Sequence, residues 1–239
     1  MPATKETSKK TGVEASIEAM FKAGAHFGFS RSRRHPSFSP IVFGVKNRVE
    51  IIDLEQTSAH LDIAKEFVKK LAAEGKTLLF VGGKNEAKEA IKKAAQSVDM
   101  PYVAGRWIGG TITNFDEIKK RVAKLQELTM QKERGELGKY TKKERLLIDR
   151  EIDKLTLFFS GLVNLTAMPA AVFVVDARHE EIAVKEAHSA GIPVISLSNT
   201  DNNIKEIEYP IACNDASVSS VAYFVDQIAQ AYKEGKALK

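Results

Sequence analysis

Arg31, Arg33 and Arg34, with His35 next to them, concentrate positive charge within five positions, between Gly28 and Pro36, more densely than anywhere else in this 239-residue chain. A guanidinium offers a planar fork of donors that matches phosphate oxygens, so such a cluster suits a phosphate backbone. A turn of ordinary solvated arginines is the other reading. A second pair of cations flanks an asparagine in Lys46-Asn47-Arg48, between two apolar segments. Asn tolerates left-handed turn geometry there, and both RNA contact and a solvated hairpin tip are open. Gly82-Gly83-Lys84 follows an apolar run and precedes a helix-forming segment. Backbone N–H groups and the positive end of a helix dipole would then meet an anion. The triplet matches neither GxxxxGK[ST] nor GxGxxG, so a plain strand-to-helix turn, an RNA phosphate and a nucleotide phosphate all fit it. Arg106 opens a further stretch, Arg106-Trp107-Ile108-Gly109-Gly110-Thr111-Ile112-Thr113-Asn114. Its paired glycines permit close backbone approach or positive φ, Trp107 offers a flat apolar plate, and Thr113 or Asn114 could cap a following helix.

Catalytic constellations are missing from the sequence. The five histidines, His26, His35, His60, His179 and His188, show no HExxH spacing, the lone Cys213 rules out a CxxC pair, and no GxSxG elbow occurs. Asp176 and Asp201 could hold a metal or a ribose, although Asp at a strand end commonly serves as a cap. No catalytic residue, metal ligand or cofactor is therefore assigned.

The elements that must position these residues follow from periodicity. Val13, Ile17, Met20, Phe21 and Gly24 predict a helix over about 13 to 25, and residues 26 to 36 a loop. Ile41 to Val45 and Val49 to Asp53 read as a hairpin, Leu54 to Glu74 as a helix stopped by Gly75, and Thr77 to Val81 as a strand buried on both faces. A helix from Asn85 to Ser97 and a short strand from Met100 to Val103 lead to the joint at Arg106. Beyond it, Phe115, Ile118, Val122, Leu125 and Leu128 step by threes and fours, and Ile148, Ile152, Leu155, Phe159 and Leu162 repeat the spacing after a Gly-containing break. Two such helices predict an antiparallel coiled-coil hairpin with a mixed-charge outer face, either solvated or in contact with a partner. Strand, helix, strand then resumes at 171–176, 179–190 and 192–197, with a last strand near 209–212 and a helix from about 217 to 234. This is βαβ logic with a helical excursion. The expected organisation is a flexible basic tail at 1–12, an α/β globular domain at 13–113 and 163–235, an inserted hairpin at 114–162, and a short tail at 236–239.

Lys and Arg exceed Asp and Glu by 36 to 31, a formal charge of +5, so the placement of charge matters more than its total. One cysteine cannot form an internal disulfide, no apolar run approaches the roughly 18 residues of a membrane span, and the first dozen residues lack a signal-type apolar segment. A soluble, reducing compartment with no membrane partner is the expectation.

Several of these stretches resemble ribosomal protein S-two of the bacterial small subunit. They are Arg106 to Asn114, Ala25-His26-Phe27-Gly28 with Pro36, Pro40 and Phe43-Gly44, Ile51 to Thr57, Phe80-Val81-Gly82, Val174-Val175-Asp176 with Glu181 to Ala187, Gly191 to Val194, and Asn214-Asp215. The resemblance runs from about Ala15 to Gly235. It implies a flavodoxin-like, Rossmann-like parallel sheet with flanking helices and a protruding coiled-coil hairpin. It also implies a structural role in the cytoplasmic ribosome, bound to small-subunit rRNA between head and body, beside neighbouring ribosomal proteins and ribosomal protein S-one. RNA contact is expected at Arg31, Arg33, Arg34, His35, Lys46, Asn47, Arg48, Lys84 and Arg106. Some members of that family assemble a zinc site, but this chain has Phe29 for the second His of His-Phe-Gly-His, Asn199 for an Asp and Ala216 for another. The expectation is no zinc here and altered docking of ribosomal protein S-one. A Rossmann-like nucleotide-binding protein or enzyme is the alternative.

Overall fold

Two periodicities alternate along the chain, and the elements follow them. The computed structural model describes residues 14–238, so the basic tail expected at 1–12 lies outside the described residues. Helix α1 (14–22) is followed by strands β1 (Phe27–Ser30), β2 (Val42–Lys46) and β3 (Val49–Ile52), helix α2 (Leu54–Ala73), strand β4 (Leu78–Val81), helix α3 (Asn85–Val98) and strand β5 (Tyr102–Val103). Helices α4 (Phe115–Glu133) and α5 (Lys142–Phe159), strand β6 (Ala171–Val175), helix α6 (Glu181–Ser189), strands β7 (Val194–Ser198) and β8 (Tyr209–Ala212), and helix α7 (Val218–Lys236) complete the order.

Every residue of β4, β6 and β7 is buried, as parallel strands covered on both faces must be. They form the middle of a five-stranded parallel sheet in the order β5-β4-β6-β7-β8. Counted within that sheet, the order is the 2-1-3-4-5 of flavodoxin-like doubly wound folds, with the topological switch between β4 and β6. Strand alternation sorts the core. Leu78, Phe80, Phe173 and Ile195 face α2, α3 and α7, whereas Leu79, Val81, Val172, Val174 and Val194 share the opposite layer with α6, Trp107, Ile112 and the inner residues of α4 and α5. Burying each such side chain contributes about 1.5–3 kcal/mol.

The N-terminal strands do not join that sheet. They make a separate antiparallel one, in the order β1-β3-β2. Its tight turn carries Asn47 at φ 50° and Arg48 at φ 66°, a left-handed pair that reverses the chain at once and so enforces antiparallel pairing. Residues 26–36, expected as a loop, are instead strand β1 and a 3-10 turn at Arg31–Arg33, with a second 3-10 segment at Pro36–Ile41. Phe27 pairs with Ile51 and Ser30 with Val49, partners too distant in sequence for local periodicity to reveal. This sheet is tied to the carboxyl edge of the large one: Phe29 N–H donates to Thr200 Oγ1 (2.9 Å), His35 N–H to Thr200 O (2.8 Å) and Asn214 N–H to Ala25 O (2.9 Å).

Helices α4 and α5 pack on each other through Ile118, Leu125, Ile152 and Leu155, and ion pairs Lys124–Glu151 (2.5 Å) and Lys132–Asp149 (2.7 Å) cross between them. Gly135 at φ 72° turns the chain after α4, and a capping box between Thr141 and Glu144 starts α5.

Candidate nucleic-acid interface

The crevice beyond the carboxyl ends of β4 and β6 is where a doubly wound sheet binds ligands, and here the protein fills it itself. Lys84 reaches Asp176 (2.5 Å) and Asp215 (2.8 Å), and Asn199 Nδ2 donates to the other oxygen of Asp215 (2.8 Å). Burial alone would lower the Lys84 pKa, but Asp215 and then Asp176 hold its ammonium above the usual lysine value. Burial pushes the Asp176 carboxyl up, and Lys84 more than offsets this, leaving it below its ordinary value. Asp215 is raised, by burial and by the neighbouring charge of Asp176. The N–H of Gly83 donates to Glu180 Oε1 (3.0 Å), and a Cβ on Gly83 would collide with that carboxylate and lie 2.9 Å from Gly105 O. Lys84, expected at an RNA contact, therefore has its charge directed inward. A sequence triplet that resembles part of a phosphate loop is occupied by the chain's own carboxylates.

The joint at 106–114 is built around one carboxylate from another element. Glu186 of α6 is 8% exposed, and accepts from Trp107 Nε1 (3.0 Å), Gly110 N (2.8 Å), Ile112 N (3.0 Å), Thr113 N (3.2 Å) and Thr113 Oγ1 (3.2 Å). Burial raises its pKa, but the hydrogen bonds, the Trp107 indole first, bring it below the usual glutamate value. Gly110 stands at φ 90°, and this left-handed step turns successive N–H groups towards Glu186. Thr113 gives its hydroxyl to Glu186, and Asn114, the residue before α4, makes no side-chain cap. Trp107 is buried and Arg106 exposed, so the joint turns its apolar plate inward and its cation outward.

The remaining cations expected at RNA lie on the small antiparallel sheet. Ser30 pairs with Val49 and Lys46 also pairs with Val49, so the turn at Arg31–Arg34 and the tip at Lys46–Arg48 stand at the same end of that sheet. Arg31, Arg33, Lys46, Asn47 and Arg48 are exposed. Arg33 lies over the Phe29 ring at 4.4 Å and 3.8 Å from Asp201. Arg34 is turned inward, to the fully buried Glu50 (3.1 Å). His35 Nδ1 accepts from Ser37 N (3.3 Å) and so caps the following 3-10 segment. Two cations missed by local reading stand near this group: Arg178, bonded to Asp201 (3.0 Å), and Lys185 on α6. Nothing in the local sequence marks them, because only the fold brings α6 beside the turn. Arg106 is apart, lining a cleft of about 310 Å³ with Lys88 and Lys92.

At its switch point this doubly wound scaffold holds internal ion pairs, and its exposed cations gather on outward turns. The family model described as Ribosomal protein S2 matches residues 20–235. Small ribosomal subunit protein uS2 of a Nitratiruptor species is 39% identical over 224 residues, covering 94% of this chain and 84% of that one. The protein of the same name from Acidothermus cellulolyticus is 41% identical over 221 residues (92% and 80%), and that from Pseudoalteromonas translucida 38% over 221 residues (92% and 91%). The chain belongs to the ribosomal protein S2 family, a structural family without enzymatic activity.

The residues at the positions that the resemblance links to zinc do not fit such a site. Phe29 and Ala216 carry no donor, and the amide of Asn199 is committed to Asp215. His26 is packed between Phe21 and Phe27, with ring centroids 4.4 and 4.0 Å away.

Proposed function

We propose that this chain is a structural constituent of the small ribosomal subunit in the cytoplasm and binds small-subunit rRNA between head and body. Arg31, Arg33, Lys46, Asn47 and Arg48 meet phosphates and 2′-hydroxyls, Arg34 and His35 hold the turn in shape, and Arg106 makes a separate contact. RNA helices present phosphates and 2′-hydroxyls while hiding base edges in a deep groove, which suits recognition of shape by cations. The observation that carries the reading is the register Ser30 to Val49 to Lys46, which brings two groups of exposed cations from separate segments to one end of a sheet. In the same reading, residues 114–162 form a coiled-coil hairpin projecting from an α/β domain at 13–113 and 163–235. Its mixed-charge outer face meets neighbouring ribosomal proteins, and ribosomal protein S-one docks in an altered way. The test is incorporation: the variant with Arg31, Arg33 and Arg34 all changed to Ala should be depleted from assembled small subunits although it folds. Full incorporation of that variant would overturn the assignment of the turn.

A further inference from the structure

Between the basic turn and α6 lies a cleft of about 470 Å³, lined among others by Arg33, Arg34, Arg178, Lys185, His188 and Asp201. Carboxylates line it as well: Glu181 and Glu206 border the same space, and Glu206 Oε1 accepts from Asn203 Nδ2 (2.5 Å) rather than from either arginine. Arg34 is answered by Glu50 and Lys185 by Glu181, but Arg33 and Arg178 both approach the same oxygen, Oδ2 of Asp201, at 3.8 and 3.0 Å. The two guanidinium groups thus share one carboxylate oxygen, and among the described residues neither has a carboxylate of its own within 4 Å. Asp201 itself is 7% exposed, whereas the two arginines are 57% and 60% exposed, so the carboxylate forms the floor and the donors face outward. Each guanidinium has five N–H donors, and a single nitrogen of each is engaged with Asp201. Arg33 is further fixed by its position over the Phe29 ring, a contact that leaves its in-plane donors free.

We propose that this cleft is a seat for one phosphodiester of an RNA backbone, gripped from two sides by Arg33 and Arg178 while Asp201 holds the two guanidinium groups at a fixed separation. The inference rests on the RNA-binding reading of the turn and extends it to a residue of a different element. A planar fork on each side of a phosphate is the bidentate arrangement that arginine favours. Asp201 keeps the pair ordered before RNA arrives, so less side-chain freedom is lost on binding.

The full chain is titrated with a transcript of small-subunit rRNA across a range of salt concentrations. Arg178→Ala should weaken binding about fivefold at 0.1 M salt and reduce the log–log salt slope by about 0.7–0.9, the loss of one phosphate contact. Arg178→Lys, which keeps the charge, should retain most of the slope, and both variants should melt like the parent because the side chain is exposed. Unchanged affinity and slope for Arg178→Ala, alongside weakened binding by the Arg31, Arg33 and Arg34 triple variant, would overturn the phosphate seat and leave the turn reading intact. Unchanged binding by both would overturn the two readings together. If Arg178→Ala loses binding to polyglutamate but not to the transcript, the cleft takes an acidic protein segment and the proposal fails.

Discussion

Lys84 and Arg33 are both cations placed just after a strand, in turns whose composition suits an anion, yet the fold gives them opposite tasks. Lys84 sits between Asp176 and Asp215 at the switch point of the parallel sheet, and its ammonium is spent inside the protein. Arg33 stands on the rim of the antiparallel sheet, with one distant carboxylate partner and most of its surface open. A cation in such a turn therefore marks a binding site only where its charge is not already matched by the chain. Supplying that match takes groups from elsewhere in the sequence: Asp176 and Asp215 come from the far half of the chain, as do Glu180, which closes on Gly83, and Glu186, which gathers the joint at 106–114.

This contrast can be broken first at Lys84. Lys84→Met would leave two buried carboxylates facing each other and should cost about 3 kcal/mol in denaturant unfolding, since removing one partner strands the other charges. The salt slope of its RNA binding should stay at the parental value. A stable variant with a reduced slope would mean that Lys84 faces RNA after all.

A smaller effect is expected at Glu186. Glu186→Gln would set an amide N–H against a ring of donors, and should cost about 2 kcal/mol at neutral pH. The native carboxyl is held below its ordinary value, so its contribution is complete above the unfolded glutamate pKa of about 4.3 and is lost as pH falls through the lower folded value. The stability gap between parent and variant should therefore be flat from pH 6 to 8 and narrow below about pH 4. A gap that widens on acidification would contradict the hydrogen-bonded carboxylate.

Much of the fold could be read from the sequence. The strands β4, β6 and β7 were visible because burial on both faces forces uninterrupted apolar runs, and α4 and α5 because their inner residues repeat at helical spacing. Strand β1 was not, since Phe-Gly-Phe-Ser has no alternation and owes its state to pairing with Ile51 and Val49. The basic turn was recognisable from its charge density alone. Sequence could not separate Arg31 and Arg33, which face outward, from Arg34, which turns to Glu50, because that choice depends on a buried carboxylate across the sheet. For the same reason nothing local distinguishes Glu186 from the other glutamate of α6, or Arg178 from any other exposed cation. The four residues Trp107, Gly110, Ile112 and Thr113 were legible as a family signature, while their shared carboxylate was not.

The central claim is that RNA affinity lies in the open cations at the end of the antiparallel sheet and not in the closed crevice of the parallel one. The most direct test is the salt dependence of binding to a small-subunit rRNA transcript, measured for the parent and for the Arg31, Arg33 and Arg34 triple-alanine variant. Arg34 is committed to Glu50, so the slope should fall by about 1.4–1.8, the equivalent of two phosphate contacts. An unchanged slope in a correctly folded triple variant would contradict the account.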